Sequence, residues 1–130
     1  MRCYLDTSAA AKLLVEESES DALASFLDRA VDGGDEVGSS RLLETELRRM
    51  ATRLAIPHEH VTLVLERLDL LLPDDDVFRS AGLLPGATLR SLDALHVAAA
   101  LRWGADTVIT YDQRQALAVR AVGLEVVAPT

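Results

Sequence analysis

Three apolar runs in this chain each lead into or carry an aspartate: Tyr4-Leu5-Asp6, Leu92-Asp93-Ala94-Leu95 and Val108-Ile109-Thr110-Tyr111-Asp112. Glu46 sits on a fourth apolar segment between them. Two unit charges about 4 Å apart repel by about 4 kcal/mol at an effective dielectric near 20, so acids gathered at strand ends call for a cation, a proton or a cationic partner. If the four converge in space, a bound divalent ion is the expected consequence.

Each acid also has a plainer role open to it. Asp6 and Asp112 can cap the helices that follow them, and Asp93, in a first helical turn, meets the helix dipole favourably. Glu44 and Glu46 flank opposite edges of the apolar stripe Leu43, Leu47, Met50 and Leu54, so periodicity leaves either free to face a site. His96 falls inside the apolar stripe of its own helix and reads as a packed core histidine rather than a ligand. Ser8 has no histidine base at a recognisable spacing, which argues against a serine nucleophile. Thr7, Ser8 and Thr110 suit either orientation of water or phosphate or local capping. Asp74-Asp75-Asp76 reads as a solvated turn.

The elements that must position these residues alternate in type. Arg2 to Leu5 reads as a buried strand followed at once by a helix over Ala9 to Glu16, and a second helix begins near Ser18 and ends at the turn Asp32-Gly33-Gly34-Asp35. Val37 to Ser39 is a second strand, Arg41 to Ala55 an amphipathic helix, and Pro57 opens another through about Leu68. Leu70 to Leu72 is a short strand, Val77 to Leu83 a helix, and Pro85-Gly86 a break. Ser91 is the expected cap of a helix whose stripe is Leu92, Leu95, His96, Ala99 and Trp103, with Gly104 as its stop. Thr107 to Thr110, Gln113 to Val122 and Glu125 to Val127 complete the pattern as strand, helix and strand. Such alternation predicts an α/β protein with a parallel sheet covered on both faces, whose ligands bind beyond the carboxyl ends of the strands. Asp6 and Asp112 both lie at such ends, which makes them one site.

Composition narrows the classes. At 130 residues and 49% hydrophobic, the chain is expected to form one domain, residues 1–130, with a core of Leu, Ala and Val because aromatics are only 4%. No charged-then-apolar leader opens it and no apolar run approaches about 18 residues, so no membrane association and a cytoplasmic location are expected. Cys3 is alone, which leaves no internal disulfide and no cysteine zinc site. Net charge is -8, from 13 basic and 21 acidic residues, yet all the basic residues except Lys12 are arginine, the side chain suited to bidentate phosphate contacts. Arg49 and Arg53 share the flank of Glu46, and they suit either substrate contact or a solvated face with surface ion pairs.

The segments Tyr4–Ala9, Ser39–Arg49, Ser91–Ala100 and Val108–Asp112, in this order and spacing, resemble those of PIN-domain ribonucleases, in particular the VapC toxins of type II toxin–antitoxin systems. The resemblance spans essentially the whole chain. It implies a three-layer α/β/α PIN-like domain with a central parallel sheet, and it selects Glu46 over Glu44. It also implies Asp6, Glu46, Asp93 and Asp112 as the catalytic, metal-holding quartet of a Mg2+-dependent endoribonuclease, with Mn2+ as a substitute, and oxygen-only ligands suit those hard ions. RNA as substrate, a VapB-like antitoxin with a basic segment and a homodimer follow as expected partners. The alternative is a catalytically silent PIN-like module that binds RNA or protein, disfavoured by the presence of all four acids. A phosphoacceptor receiver domain would need a lysine near its end, and Lys12 is the only lysine.

Overall fold

The computed structural model describes Met1–Thr130. Its twelve elements are β1 (Arg2–Leu5), α1 (Thr7–Leu14), α2 (Ser20–Asp32), β2 (Glu36–Ser40), α3 (Leu42–Leu54), α4 (His58–Glu66), β3 (Asp69–Leu71), α5 (Asp75–Gly82), α6 (Ser91–Trp103), β4 (Thr107–Ile109), α7 (Gln113–Ala121) and β5 (Glu125–Val127). Every strand and helix expected from the sequence is present, and boundaries differ by a few residues at most. The five strands form one parallel sheet in the order β3-β2-β1-β4-β5.

Alternation along the central strand sends side chains to two cores. Cys3 and Leu5 join an apolar cluster with α1 to α4, through residues such as Leu23, Leu43, Leu47 and Val61. Tyr4, between them, joins the opposite cluster with Val77, Val97, Val108 and Val119. Helices therefore cover both faces, giving the expected three-layer α/β/α arrangement. The chain builds outward from β1 to β3, then returns to the other side of β1 to lay down β4 and β5. A right-handed crossover on each side requires the helices to change face where the strand order reverses. That reversal lies between β1 and β4, whose carboxyl ends carry Asp6 and lead into Asp112.

Four local readings are corrected by the structure. Ser91 is the first residue of α6 and makes no capping bond, the cap position being Arg90. The helix itself has no single apolar stripe: Leu92 is 48% exposed, whereas Val97 to Ala100 are all buried. Small alanines allow α6 to pack closely between the sheet and α5. On α3 the buried line is Leu43, Leu47 and Ala51, and Leu54 is exposed. Asp74 is not part of a merely solvated turn, because its side chain caps α5 by accepting from the Val77 amide at 3.0 Å. Gly38 on β2 is required by close approach: a Cβ there would lie 2.8 Å from the Trp103 ring of α6. Gly104 ends α6 as expected, at φ 77°.

Candidate functional site

Asp6 occupies the position before α1, yet its carboxylate caps nothing. The group turns instead toward β4 and α7. Its Oδ2 accepts from the Thr110 hydroxyl at 2.8 Å and the Ser8 hydroxyl at 3.1 Å, and Oδ1 faces the Gln115 amide at 3.4 Å. Ser8 also contacts the Thr110 hydroxyl and accepts from the Tyr111 amide. Thr110 also accepts from the Asp112 amide at 3.2 Å, so these small polar residues bond local backbone as well as the Asp6 carboxylate. They hold a buried carboxylate between two adjacent strands.

Asp112 does cap its helix, with Oδ1 accepting from the amides of Arg114 and Gln115 at 2.8 and 3.1 Å. Its second oxygen makes no bond within the chain. Asp93, in the first turn of α6, has no hydrogen-bond partner on its carboxylate at all. Burial, then the charges of Asp6 and Asp112, push its carboxyl above the usual aspartate range, with Glu46 adding and His96 opposing. Asp93 thus lies within the electrostatic reach of the other three acids.

Glu44 and Glu46 are told apart by their partners. Glu44 is bonded to Arg48 at 2.8 Å and Arg41 at 3.1 Å, which hold it below the ordinary glutamate value. Its charge is already neutralised. Glu46 turns the other way, and its Oε1 accepts from Thr7 at 3.0 Å and lies 2.6 Å from His96 Nε2. Arg48 is committed to Glu44, His58 and Thr62, whereas Arg49 and Arg53 are without an acidic partner.

His96 is the core histidine the sequence predicted, 2% exposed, but it is also more than that. Its Nδ1 lies 2.7 Å from the Tyr4 hydroxyl, so β1, α6 and α3 are joined in one line ending at Glu46. Burial holds the Tyr4 phenol well above its ordinary pKa, so it keeps its proton and donates. The carboxylate at Nε2 places the imidazole proton there and leaves Nδ1 to accept. Gln115 has a role that sequence reasoning does not find. It is buried, and its amide donates to the Asp93 carbonyl at 3.0 Å as well as reaching Asp6. Its own backbone amide bonds to Asp112, and its Oε1 has no partner. A lone glutamine on a terminal helix carries no sequence signal for such a position. The Tyr4–His96 link is equally hidden, because it needs the register of β1 against α6.

The donor set suits a hard cation. All four groups offer carboxylate oxygen, and Asp6, Asp93 and Asp112 take part in none of the chain's ion pairs. No three acidic or histidine side chains already converge closely enough to ligate a single ion. One oxygen of Asp112 and one of Glu46 are held by local bonds and the other is open. Mg2+, which retains several waters, fits such a ring without direct contact to every carboxylate.

This arrangement belongs to a known class. The PIN domain family model matches residues 3–120, and the chain is a member of that family. Among its relatives, ribonuclease VapC35 of Mycobacterium tuberculosis is 42% identical over 132 residues, covering 97% of this chain and 96% of that protein. Ribonuclease VapC47 of the same organism is 36% identical over 130 residues, at 97% and 96% coverage. Solved structures agree on the fold. VapBC2 from Rickettsia felis, bound to a fragment of its promoter DNA, matches with a TM-score of 0.80 at 15% identity, over the full length of both chains. Mycobacterium tuberculosis VapC20, a sarcin-ricin loop cleaving toxin, matches with a TM-score of 0.70 at 18% identity, covering 98% of this chain and 99% of that one.

Proposed function

We propose that this protein is a Mg2+-dependent endoribonuclease, accepting Mn2+ in its place, and the toxin of a type II toxin–antitoxin pair. The observation that supports this reading is the set of acids at the strand-order reversal, of which Asp6, Asp93 and Asp112 enter none of the chain's ion pairs, on a chain 36 to 42% identical to VapC ribonucleases. A divalent cation held by Asp6, Glu46, Asp93 and Asp112 would supply charge neutralisation at the phosphate and lower the pKa of a bound water. The chain's residues do the rest. Thr110, Ser8 and Gln115 fix Asp6, the α7 amides fix Asp112, and His96 with Thr7 fixes Glu46, so the open oxygens keep their directions. Water adds to phosphorus as the bond to the 3′-oxygen breaks, and the proton that the water loses ends on the departing 3′-oxygen.

The partner follows from the same charge. Four carboxylates form a receptor for guanidinium groups, so a VapB-like antitoxin with a basic segment is the expected inhibitor, acting on a homodimer of this chain. Solved toxin–antitoxin complexes among the structural neighbours support the pairing. Mapping RNA ends after brief expression of wild type and Asp6→Asn tests the activity: discrete ends should appear only with the wild type. Co-expression with the product of the adjacent upstream reading frame tests the partner. A neighbour that neither co-purifies nor suppresses toxicity removes the toxin reading and leaves the nuclease reading in place.

A further inference from the structure

The arginines of this acidic protein fall into two sets. Arg2, Arg41, Arg48, Arg67, Arg79 and Arg102 are engaged in ion pairs with acids. The remaining ones are not, and three of those, Arg90, Arg114 and Arg120, line the two grooves that open from Asp112. The larger groove, about 670 Å³, runs from Asp93 and Asp112 past Arg90 and Arg114. The smaller, about 400 Å³, runs from Asp112 past Thr110 to Arg120. Gln113 and Leu117 border both, so they form a ridge along α7 that separates the grooves. Leu117 is 68% exposed at the crest.

Resting on the nuclease reading above, we infer that the exposed face of α7 is the substrate platform: a single RNA strand crosses the Gln113–Leu117 ridge, its phosphates held by Arg90 and Arg114 on one side and Arg120 on the other. Three observations support RNA as the occupant. Both grooves begin at Asp112, so nucleotides lying in them are continuous with the phosphate being cut. Guanidinium groups with no internal acid have their full charge available to phosphate, whereas the paired arginines do not. An apolar side chain standing between the cations offers a base a surface to lie on, as single-strand binding sites do. A basic protein segment suits this face poorly, because three unpaired arginines repel it. Its place is the carboxylate ring.

Binding separates this assignment from catalysis. Asp6→Asn full-length protein, which should not cut, is titrated against a fluorescein-labelled single-stranded RNA of about 12 nucleotides, followed by anisotropy across a range of salt. Removing one arginine that neutralises a phosphate lowers the slope of log K against log salt by about 0.7, equivalent to about a fourfold loss of affinity at 0.15 M salt. Changing Arg90, Arg114 and Arg120 together to Ala should therefore weaken binding about fiftyfold, and the corresponding Lys variants should restore most of the slope. Arg102→Ala, which removes an acid-paired arginine, serves as the control and should bind as the parent does. Leu117→Ser should weaken binding with the salt slope unchanged. If the triple variant binds with the affinity and slope of Arg102→Ala, the platform assignment is overturned and the nuclease reading stands. Loss of antitoxin inhibition with RNA affinity intact also overturns it and gives the face to a protein. A wild type that cuts no RNA, combined with the predicted binding losses, retains the platform and rejects the nuclease.

Discussion

Tyr4→Phe, His96→Leu and the double variant probe the line that ends at Glu46. In the parent, the Tyr4 hydroxyl is 2.7 Å from Nδ1 and Glu46 Oε1 is 2.6 Å from Nε2, with Tyr4 wholly buried. Replacing His96 by an apolar side chain strands the phenol hydroxyl, and an unsatisfied buried group costs about 1 to 3 kcal/mol. The loss at Glu46 is smaller, because its side chain is 22% exposed and water can replace the imidazole. About 2 to 4 kcal/mol is expected in all, or a Tm lower by roughly 3 to 5 °C for each kcal/mol. Tyr4→Phe alone leaves Nδ1 without its donor and costs about 1 to 3 kcal/mol. The double variant strands neither group. It should therefore be more stable than His96→Leu alone, with a coupling energy of about 1 to 3 kcal/mol in urea unfolding curves of equal slope. Additive costs, within about 0.5 kcal/mol, would show that hydroxyl and ring share no bond and refute the connection. The same variants separate support from chemistry: His96→Leu should raise the Mn2+ concentration needed for half-maximal cleavage more than Tyr4→Phe does, since only it frees Glu46.

Glu46→Gln should abolish RNA cleavage and Glu44→Gln should leave most of it, because Glu44 is already neutralised by Arg41 and Arg48; the reverse result would reassign the site-facing acid of α3. Asp93 binds its proton more tightly in the folded chain than its ordinary value of 3.8, chiefly through burial and then Asp6 and Asp112, so its contribution to stability is full below that value and is lost as pH rises through the raised folded value. Metal-free Asp93→Asn should consequently be more stable than wild type at pH 7, with the difference shrinking on acidification, as thermal melts in chelator would register; a variant destabilised equally at every pH contradicts the facing charges. Calorimetric titration should find Mn2+ binding severely weakened in Asp6→Asn and Asp93→Asn, and wild-type affinity in both would remove them from the metal site. Arg49→Ala and Arg53→Ala should raise KM and lower the salt dependence of RNA binding, and unchanged kinetics at low salt would make that flank of α3 a solvated face.

Much of this fold was legible because burial and period coincide. Tyr4 and Leu5 are fully buried in a parallel strand, where an apolar run reads clearly, and turn residues mark the ends of most helices. The readings that failed did so for separate physical reasons. Ser91 has the chemistry of a cap, but capping depends on backbone angles, and the extended residue is Arg90 at ψ 157°. The alanines of α6 carry too little hydrophobic signal to reveal a helix buried nearly all round. At the site, residue type and strand-end position identified Asp6 and Asp112 as candidates, and Asp93 was a candidate from a first helical turn. The partners that orient them come from distant segments: His96 on α6 meets Glu46 on α3, and Gln115 on α7 reaches Asp6 after β1. Pairing β1 with β4 brings the segment that carries Gln115 to Asp6.

A net charge of -8 does not decide what such a protein binds, because at physiological ionic strength charges further apart than about 8 Å are largely screened. Local arrangement decides. Most acids outside the site are exposed, and several neutralise the arginines nearest to them, so both drop out of the near field that a ligand meets. What remains are charges left unpaired by the fold: carboxylates at the strand ends, and arginines along α7 and the outer flank of α3. The two sets meet at Asp112, whose Oδ1 caps α7 and whose other oxygen makes no bond within the chain. On the proposed reading, an RNA strand would lie along the arginines and a cationic inhibitor on the carboxylates, and the two would exclude each other at the carboxylates, where the phosphate to be cut must also sit.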